Sequence, residues 1–486
     1  MELTPVGFFV VLFLTPFLLL RLNLFRITKI AIFCFPLSSV GIFIYYPFPT
    51  VTISLNQYMA LLLIISTTLV SILHKYKSPS LPKPLVVFSY LFVCAIILSW
   101  IPCILEWPIK FWQWQSVTPT GLYYPSWYQE YVHFSVYNLK IIYLFFSMAF
   151  FVALYKVLPL LNTRSISRIF IGSCLTMAIF GFLDLTPAAS FLGFLAKHGR
   201  DVPSSPFHRI EILTPIGIPR IRGIVGEPSN LAELLLIGIG FLIVKYIRRQ
   251  YVFNHKIDTG IMATFIIATF LTSSSFVLTL PIIIGYALIT STKPNIKDIL
   301  RIFIIIFSLI FISFTINLII GKSFFDVMFK TTLLKLGFSE SPNTSSYFVT
   351  SLHAQWETFK QSPIIGVGWG TENLPIGFMV LLTNVGILGT SIFFILLFLV
   401  WKICRKKIQI TRSDEEKTFR KGIMLAFLVF LVISFSRRGF AWTLNPVGWF
   451  LAAAMVSDYK NSIGPIKEKR KILSNENSLP GSKTGL

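Results

Sequence analysis

The chain has 486 residues, 54% hydrophobic and 13% charged, with a formal net charge of +23 and a mean hydropathy of +0.73. A soluble domain carries about 25% charged residues, so this composition excludes a soluble globular enzyme, and ordinary glycine and proline usage excludes a collagenous chain. On a soluble protein a charge of +23 would suggest nucleic acid; on a membrane protein it asks which side holds the charge.

Apolar runs long enough for lipid-spanning helices recur along almost the whole chain. Spans are predicted near 5–20, 30–46, 57–73, 84–104, 137–156, 167–186, 230–247, 260–273, 276–291, 301–320, 375–400, 422–436 and 440–457. The fold class expected is an all-α polytopic integral membrane protein of about 12–14 transmembrane helices. The first span is not read as a cleaved leader, because Arg21 and Arg26 follow the apolar stretch instead of preceding it. Residues 1–457 form one polytopic membrane domain, with long outer loops at about 105–136, 187–229 and 321–374. The polar stretch 458–486 reads as a disordered cytoplasmic tail.

Orientation follows from Lys and Arg in alternate connections: Arg21–Lys29, Lys75–Lys83, Lys156–Arg168, Lys245–Lys256, Lys293–Arg301, 402–421 and the tail from Lys460. These cytoplasmic segments hold about 30 of the 43 basic and about 8 of the 20 acidic residues, which leaves the outer side near neutral. The sorting requires 260–291 to be two short spans joined at Thr272–Phe276. The five cysteines, Cys34, Cys94, Cys103, Cys174 and Cys404, show neither a disulfide framework nor zinc spacing.

The first outer loop is crowded with aromatics, among them Trp107, Trp112, Trp114, Tyr123, Trp127 and Tyr128. They fit an interfacial belt, and sugar rings stack on the same faces. The second loop ends in Arg220-Ile-Arg222-Gly223-Ile-Val-Gly226-Glu227-Pro228-Ser229-Asn230, which runs straight into a span. Pro228 suits a first helical position with Glu227 as cap. A helix start favours an anion such as phosphate, and two arginines add forked donors for its oxygens. Gly223 and Gly226 let the backbone approach a ligand. The alternative is a re-entry loop whose arginines touch lipid head groups. Glu233, one turn into the span, is either a functional intramembrane acid or an acid favoured by the helix dipole.

The third loop ends in an amphipathic helix carrying His353, Trp356, Glu357 and Lys360, stopped by Pro363 before the Gly366-Val-Gly368 turn. His353 is a candidate proton acceptor or simply a surface histidine. Arg437-Arg438 form the turn between the last two spans, on the outer side, against the sorting seen elsewhere. They either bind a lipid phosphate or snorkel to the interface. There is no Asp-x-Asp, P-loop, His-Glu-x-x-His or Gly-x-Ser-x-Gly, so an enzyme here is expected to work without metal or cofactor on a membrane-borne donor.

Arg220-x-x-Gly223-x-x-x-Glu227-Pro228-Ser229, Trp356 with Ser362-Pro363-Ile-Ile-Gly366-Val-Gly368, and Asn384-Val-Gly386-Ile-Leu-Gly389 resemble the motifs of Wzy-type O-antigen polymerases and O-antigen ligases. These are polytopic glycosyltransferases of the bacterial inner membrane, and the resemblance covers roughly 210–400. It implies a GT-C-like fold with periplasmic loops and a donor oligosaccharide linked to undecaprenyl pyrophosphate. Catalytic roles would fall to Arg220, Glu227 and His353. Substrate contacts would fall to Arg222, Arg437, Arg438, Gly223, Ser229, Trp356, Gly366 and Gly368. Partners would be the lipid-linked oligosaccharide, membrane lipid and a chain-length regulator protein, with no nucleic acid.

Two departures stand out. Family members often carry an arginine after serine in the next helical turn, whereas Thr272-Ser273-Ser274-Ser275-Phe276 has none; Arg437 or Arg438 is expected to supply that charge. Ligases carry a histidine after the glycine turn, and none lies between Gly370 and Gly386, which favours a polymerase. The rival from another class is a flippase for lipid-linked oligosaccharide, which would show shorter outer loops.

Overall fold

The computed structural model describes residues 2–19, 23–37, 40–45, 51–73, 79–105, 110–116, 123–129, 134–187, 220–225, 228–272, 274, 276, 279–290, 300, 345–369, 377–436 and 445–459. Its helices in chain order are α1 (Val6–Leu18), α2 (Leu24–Cys34), α3 (Leu55–Leu73), α4 (Lys83–Ser99), α5 (Phe134–Val157), α6 (Thr163–Leu183), α7 (Pro228–Ile247), α8 (His255–Leu271), α9 (Leu280–Thr290), α10 (Ser345–Gln361), α11 (Gly377–Ile410), α12 (Asp414–Phe435) and α13 (Pro446–Val456). Among the described residues, six helices or helical segments are long and apolar enough to cross a membrane: α3, Ile142–Leu160, α6, α7, α11 and α12. This is the architecture of a helical membrane protein. The described residues also form two small antiparallel sheets that an all-α reading does not contain. One has β1 (Glu2–Leu3), β2 (Gly41–Tyr45) and β3 (Val51–Ser54); the other pairs β4 (Lys110–Ser116) with β5 (Tyr123–Gln129).

Helix α7 lies at the centre. It is apolar on every side, and a helix of that kind is stable only when surrounded. Every residue from Leu231 to Ile247 is buried. Close approach comes from small residues. A Cβ on Gly240 would stand 3.3 Å from Val429, and one on Gly422 would stand 2.9 Å from the Phe241 ring. With Ser434 beside Glu233 and Phe419 against Phe241, α7 and α12 therefore run antiparallel. On other sides Gly238 meets Phe265 of α8 and Cys174 of α6.

The basic connections meet at one end. Arg168 Nε donates to Val252 O at 3.2 Å, linking the start of α6 to the α7–α8 turn. Lys407 donates to Val456 O at 2.6 Å and to the Asp458 carboxylate, linking α11 to the end of α13. Arg420 is 1% exposed and satisfied on all sides: Glu416 Oε1 at 2.8 and 3.0 Å, Met455 O at 3.0 Å and Ser457 O at 2.8 Å. A buried charge persists only when paired in this way.

Three expectations change. The stretch 30–46 is no single helix: α2 stops at Cys34, just before Pro36, and the chain returns as β2. Proline lacks the N–H and clashes with the preceding turn, while Ile42, Phe43, Ile44 and Tyr45 suit a strand. The connection expected at 402–421 shrinks to residues 411–413, because α11 continues through the helix-forming Lys and Arg residues to Ile410. At 34 residues α11 is far longer than the ~20 needed to span hydrocarbon. The first outer loop contains the β4–β5 hairpin, with Trp112 in register with Trp127 and Phe111 with Tyr128. The predicted span 301–320, most of loops 187–229 and 321–374, and the tail beyond Tyr459 lie outside the described residues.

Candidate functional site

The end of the bundle opposite the basic one gathers the end of α6, the start of α7, the end of α8 and the end of α12. Residues 220–225 weave between them. Ile221 is fully buried, and with Leu231 it packs on Gly181, where a Cβ would stand 3.2 and 2.8 Å from their methyls. Gly223 has φ +56°, and a Cβ there would meet the backbone of Gly181 at 3.0 Å. Only glycine combines that left-handed conformation with so close a neighbour. Gly223 thus serves to seat the turn on α6.

Asp184 fixes the same turn. It is the C-cap residue of α6, and its Oδ2 accepts the backbone N–H of Arg222 at 2.7 Å and of Gly223 at 2.5 Å. A carboxylate at a helix C-terminus opposes the dipole, so these two donors offset an otherwise unfavourable position. The backbone N–H groups of Arg222 and Gly223 are thus held by the protein's own carboxylate. Arg220 Nε donates to Thr272 O at 2.7 Å, and Ile221 N–H to Leu271 O at 3.3 Å, so Arg220 also closes the C-terminal end of α8. A cation is favoured there.

Ser229 is half-buried in the first turn of α7. Glu233, one turn further, is buried, and Ser434 Oγ lies 3.4 Å from its Oε1. The end of α12, capped at Ser436, therefore stands beside the first turns of α7. Glu227, Gly226, Arg437 and Arg438 lie outside the described residues.

His353, Trp356 and Glu357 belong to α10, which packs on α11 and on the β4–β5 hairpin. His353 is 67% exposed, with its Nε2 3.9 Å from Glu357 Oε1. Glu357 also takes a 2.7 Å hydrogen bond from Lys360, whose ammonium holds the carboxyl below its usual range, aided by His353. Trp356 is 46% exposed, and its ring lies 5.3 Å from that of Phe359.

The glycine motifs form one unit. Helix α11 is broken at Gly386, with φ 63° and ψ −171°. Residues 363–368 lie across the break. Val367 N–H and Gly368 N–H donate to Thr383 O at 2.9 Å and Asn384 O at 3.1 Å, while Ile387 N–H and Leu388 N–H donate to Pro363 O at 2.9 Å and Ile364 O at 3.1 Å. The carbonyls and N–H groups freed by the break are thus satisfied by the crossing segment, as a membrane interior demands. Contact is backbone on backbone. A Cβ on Gly366 would stand 2.4 Å from Asn384 O, and one on Gly386 2.2 Å from Ile364 O. The space beside Gly366 is therefore filled by α11 itself. Gly368, with φ 110°, is the next link of that crossing, and the following Trp369 is buried edge-on against Phe92 of α4 at 5.9 Å. Phe393 and Phe394 of α11 meet Phe435 at the end of α12, so this unit sits at the same end as the Arg220 turn.

Sequence reasoning assigned no role to Asp184, Thr272 or Ser434. Asp184 had one visible signal, an acid closing an apolar run. The other two are neutral side chains or carbonyls whose use depends on which helix end lies opposite. No protein-family model matches this chain, and no curated protein is significantly similar to it.

Proposed function

We propose that the protein is a polysaccharide polymerase of the O-antigen type, joining undecaprenyl-pyrophosphate-linked repeat units at the periplasmic face of the bacterial inner membrane. The observation that carries this reading is the Arg220 turn. Two arginines are held on a turn fixed by Asp184 and Thr272, at the end of the bundle remote from the basic connections. The rule that basic connections face the cytoplasm supports reading that turn as periplasmic.

In the reaction, an acceptor sugar hydroxyl oxygen bonds to the anomeric carbon of the donor. The bond from that carbon to pyrophosphate breaks, and undecaprenyl pyrophosphate leaves with the electron pair. The hydroxyl proton passes to a base, for which the sequence offers Glu227 or His353. Charge develops on the leaving pyrophosphate, and guanidinium groups of Arg220 and Arg222 would stabilise it. Arg437 and Arg438 would extend the same cationic lining. Trp356, exposed on α10 beside the aromatic-rich hairpin, offers a face on which a sugar ring stacks.

The test is the surface polysaccharide of a deletion strain, separated on a gel. Single repeat units on lipid A core support the polymerase. Polymer left on its carrier, with attachment lost, would make the protein a ligase. Complete lack of periplasmic repeat units would make it a flippase.

A further inference from the structure

At the basic end, a cleft of about 440 Å³ opens between the end of α11, the start of α12 and the residues after α13. Lys407, Thr411, Arg412, Glu416, Arg420 and Asp458 line it. Its inner part is electrically closed. Arg420 lies against Glu416 at 2.8 Å, donates also to Met455 O and Ser457 O, and stacks over the Tyr459 ring at 5.0 Å. Thr411 Oγ1 reaches the same carboxylate at 3.4 Å.

The mouth is different. Lys407 is 12% exposed and donates to Val456 O and to Asp458, whose side chain is 69% exposed and therefore displaceable. Arg412 is exposed and has no carboxylate against it among the described residues. Three cations face two carboxylates, so the cleft keeps one positive charge. Ile410, 68% exposed, gives the rim one apolar side chain.

We propose that this cleft binds the singly charged phosphodiester of a membrane lipid headgroup. The Arg412 guanidinium is the principal donor, and Lys407 is the second once Asp458 swings out. The charge balances, since one phosphodiester anion neutralises the one uncompensated cation. The place also fits: the cleft lies where the last three helices reach the basic end, and basic pockets between membrane helices on the cytoplasmic side take lipid phosphates. A guanidinium fork suits two phosphate oxygens at once. This site is separate from the Arg220 turn and does not depend on the polymerase reading.

The test uses the full-length protein in detergent, titrated with phosphatidylglycerol and followed by native mass spectrometry. Dioleoylglycerol, which lacks phosphate, and inorganic phosphate are the two comparison arms. Arg412→Ala and Arg412→Gln should each weaken phosphatidylglycerol binding about fivefold, the effect of one cation near the surface. Lys256→Ala, an exposed basic residue at the same end but outside the cleft, should leave binding unchanged. Dioleoylglycerol should not bind at the site, and inorganic phosphate should not displace the lipid. Equal losses in the Arg412 and Lys256 variants, or no loss in either, would overturn the site. Displacement by inorganic phosphate that depends on Arg412 would overturn the lipid as its occupant.

Discussion

Replacing Gly386 by alanine probes the break in α11 most directly. At φ 63° and ψ −171°, a conformation essentially confined to glycine, a side chain costs about 1–3 kcal/mol. The new Cβ would also stand 2.2 Å from Ile364 O, well inside van der Waals contact. Neither partner is a flexible side chain, so the two backbones must part. Parting them loosens Ile387 N–H to Pro363 O and Leu388 N–H to Ile364 O, each worth about 1 kcal/mol net. The expected destabilisation is thus about 3–5 kcal/mol. Gly366→Ala should act alike, since φ is 81° and its Cβ would meet Asn384 O. The double variant should cost less than the sum, because one separation relieves both clashes. Gly260→Ala in α8 is the control: nothing lies within 4 Å, and alanine gains up to about 1 kcal/mol of helix propensity. Thermal melts of the detergent-solubilised chain, read by size-exclusion recovery, compare the set. A Gly386→Ala protein that melts at or above Gly260→Ala would show that the crossing segment does not rest on α11.

Arg220→Ala should abolish polymer with normal membrane insertion and only a modest fall in melting temperature; a chain that still makes polymer but melts earlier would reduce Arg220 to a cap on α8. Asp184→Ala should raise hydrogen exchange at the Arg222 and Gly223 amides, while Asp184→Asn, which keeps an acceptor oxygen, should restore protection; equal exchange in both variants and wild type would contradict the turn geometry. Arg420→Ala leaves Glu416 and two backbone carbonyls without their donor and should destabilise by about 3–5 kcal/mol, read as loss of folded protein on heating. Acidification should weaken α10. The Glu357 carboxyl is held low by Lys360, so its contribution is present above the ordinary carboxylate range and is lost as pH falls through the depressed value. Circular dichroism of a 345–361 peptide should lose helicity on that acid limb, and Lys360→Ala should move the loss to higher pH.

The broken helix and the Arg220 turn share a construction. In each, a loop segment enters the bundle end and hydrogen-bonds to interrupted or terminal helix turns: backbone to backbone at Thr383–Leu388 in one case, and at the Leu271 and Thr272 carbonyls and the Asp184 carboxylate in the other. Helix ends carry unsatisfied N–H and C=O groups, and where loops pack on them these groups take protein partners. The loops that carry the motif residues are therefore also the caps of the scaffold. For this reason Gly223, Gly366 and Gly386 have a packing role whatever the ligand.

Composition and hydropathy determined that the chain is a helical membrane protein, because 13% charged residues are too few to keep so much apolar surface in water. Charge placement determined which connections share an end, and the contacts of Arg168 with Val252 and of Lys407 with Val456 and Asp458 agree with it. Motif spelling singled out Arg220, Gly223, Gly366 and Gly386. It did not reveal that Gly366 and Gly386 are each other's neighbours, nor that Asp184 already occupies the amides beside Arg222. Those facts depend on which helix ends meet. Residues 38 positions apart, such as Asp184 and Arg222, or 201 apart, such as Glu233 and Ser434, come together only through the packing of whole helices around α7. Periodicity along one helix records its buried face but not the neighbour that covers it, so the partners of each site residue were decided by the tertiary structure alone.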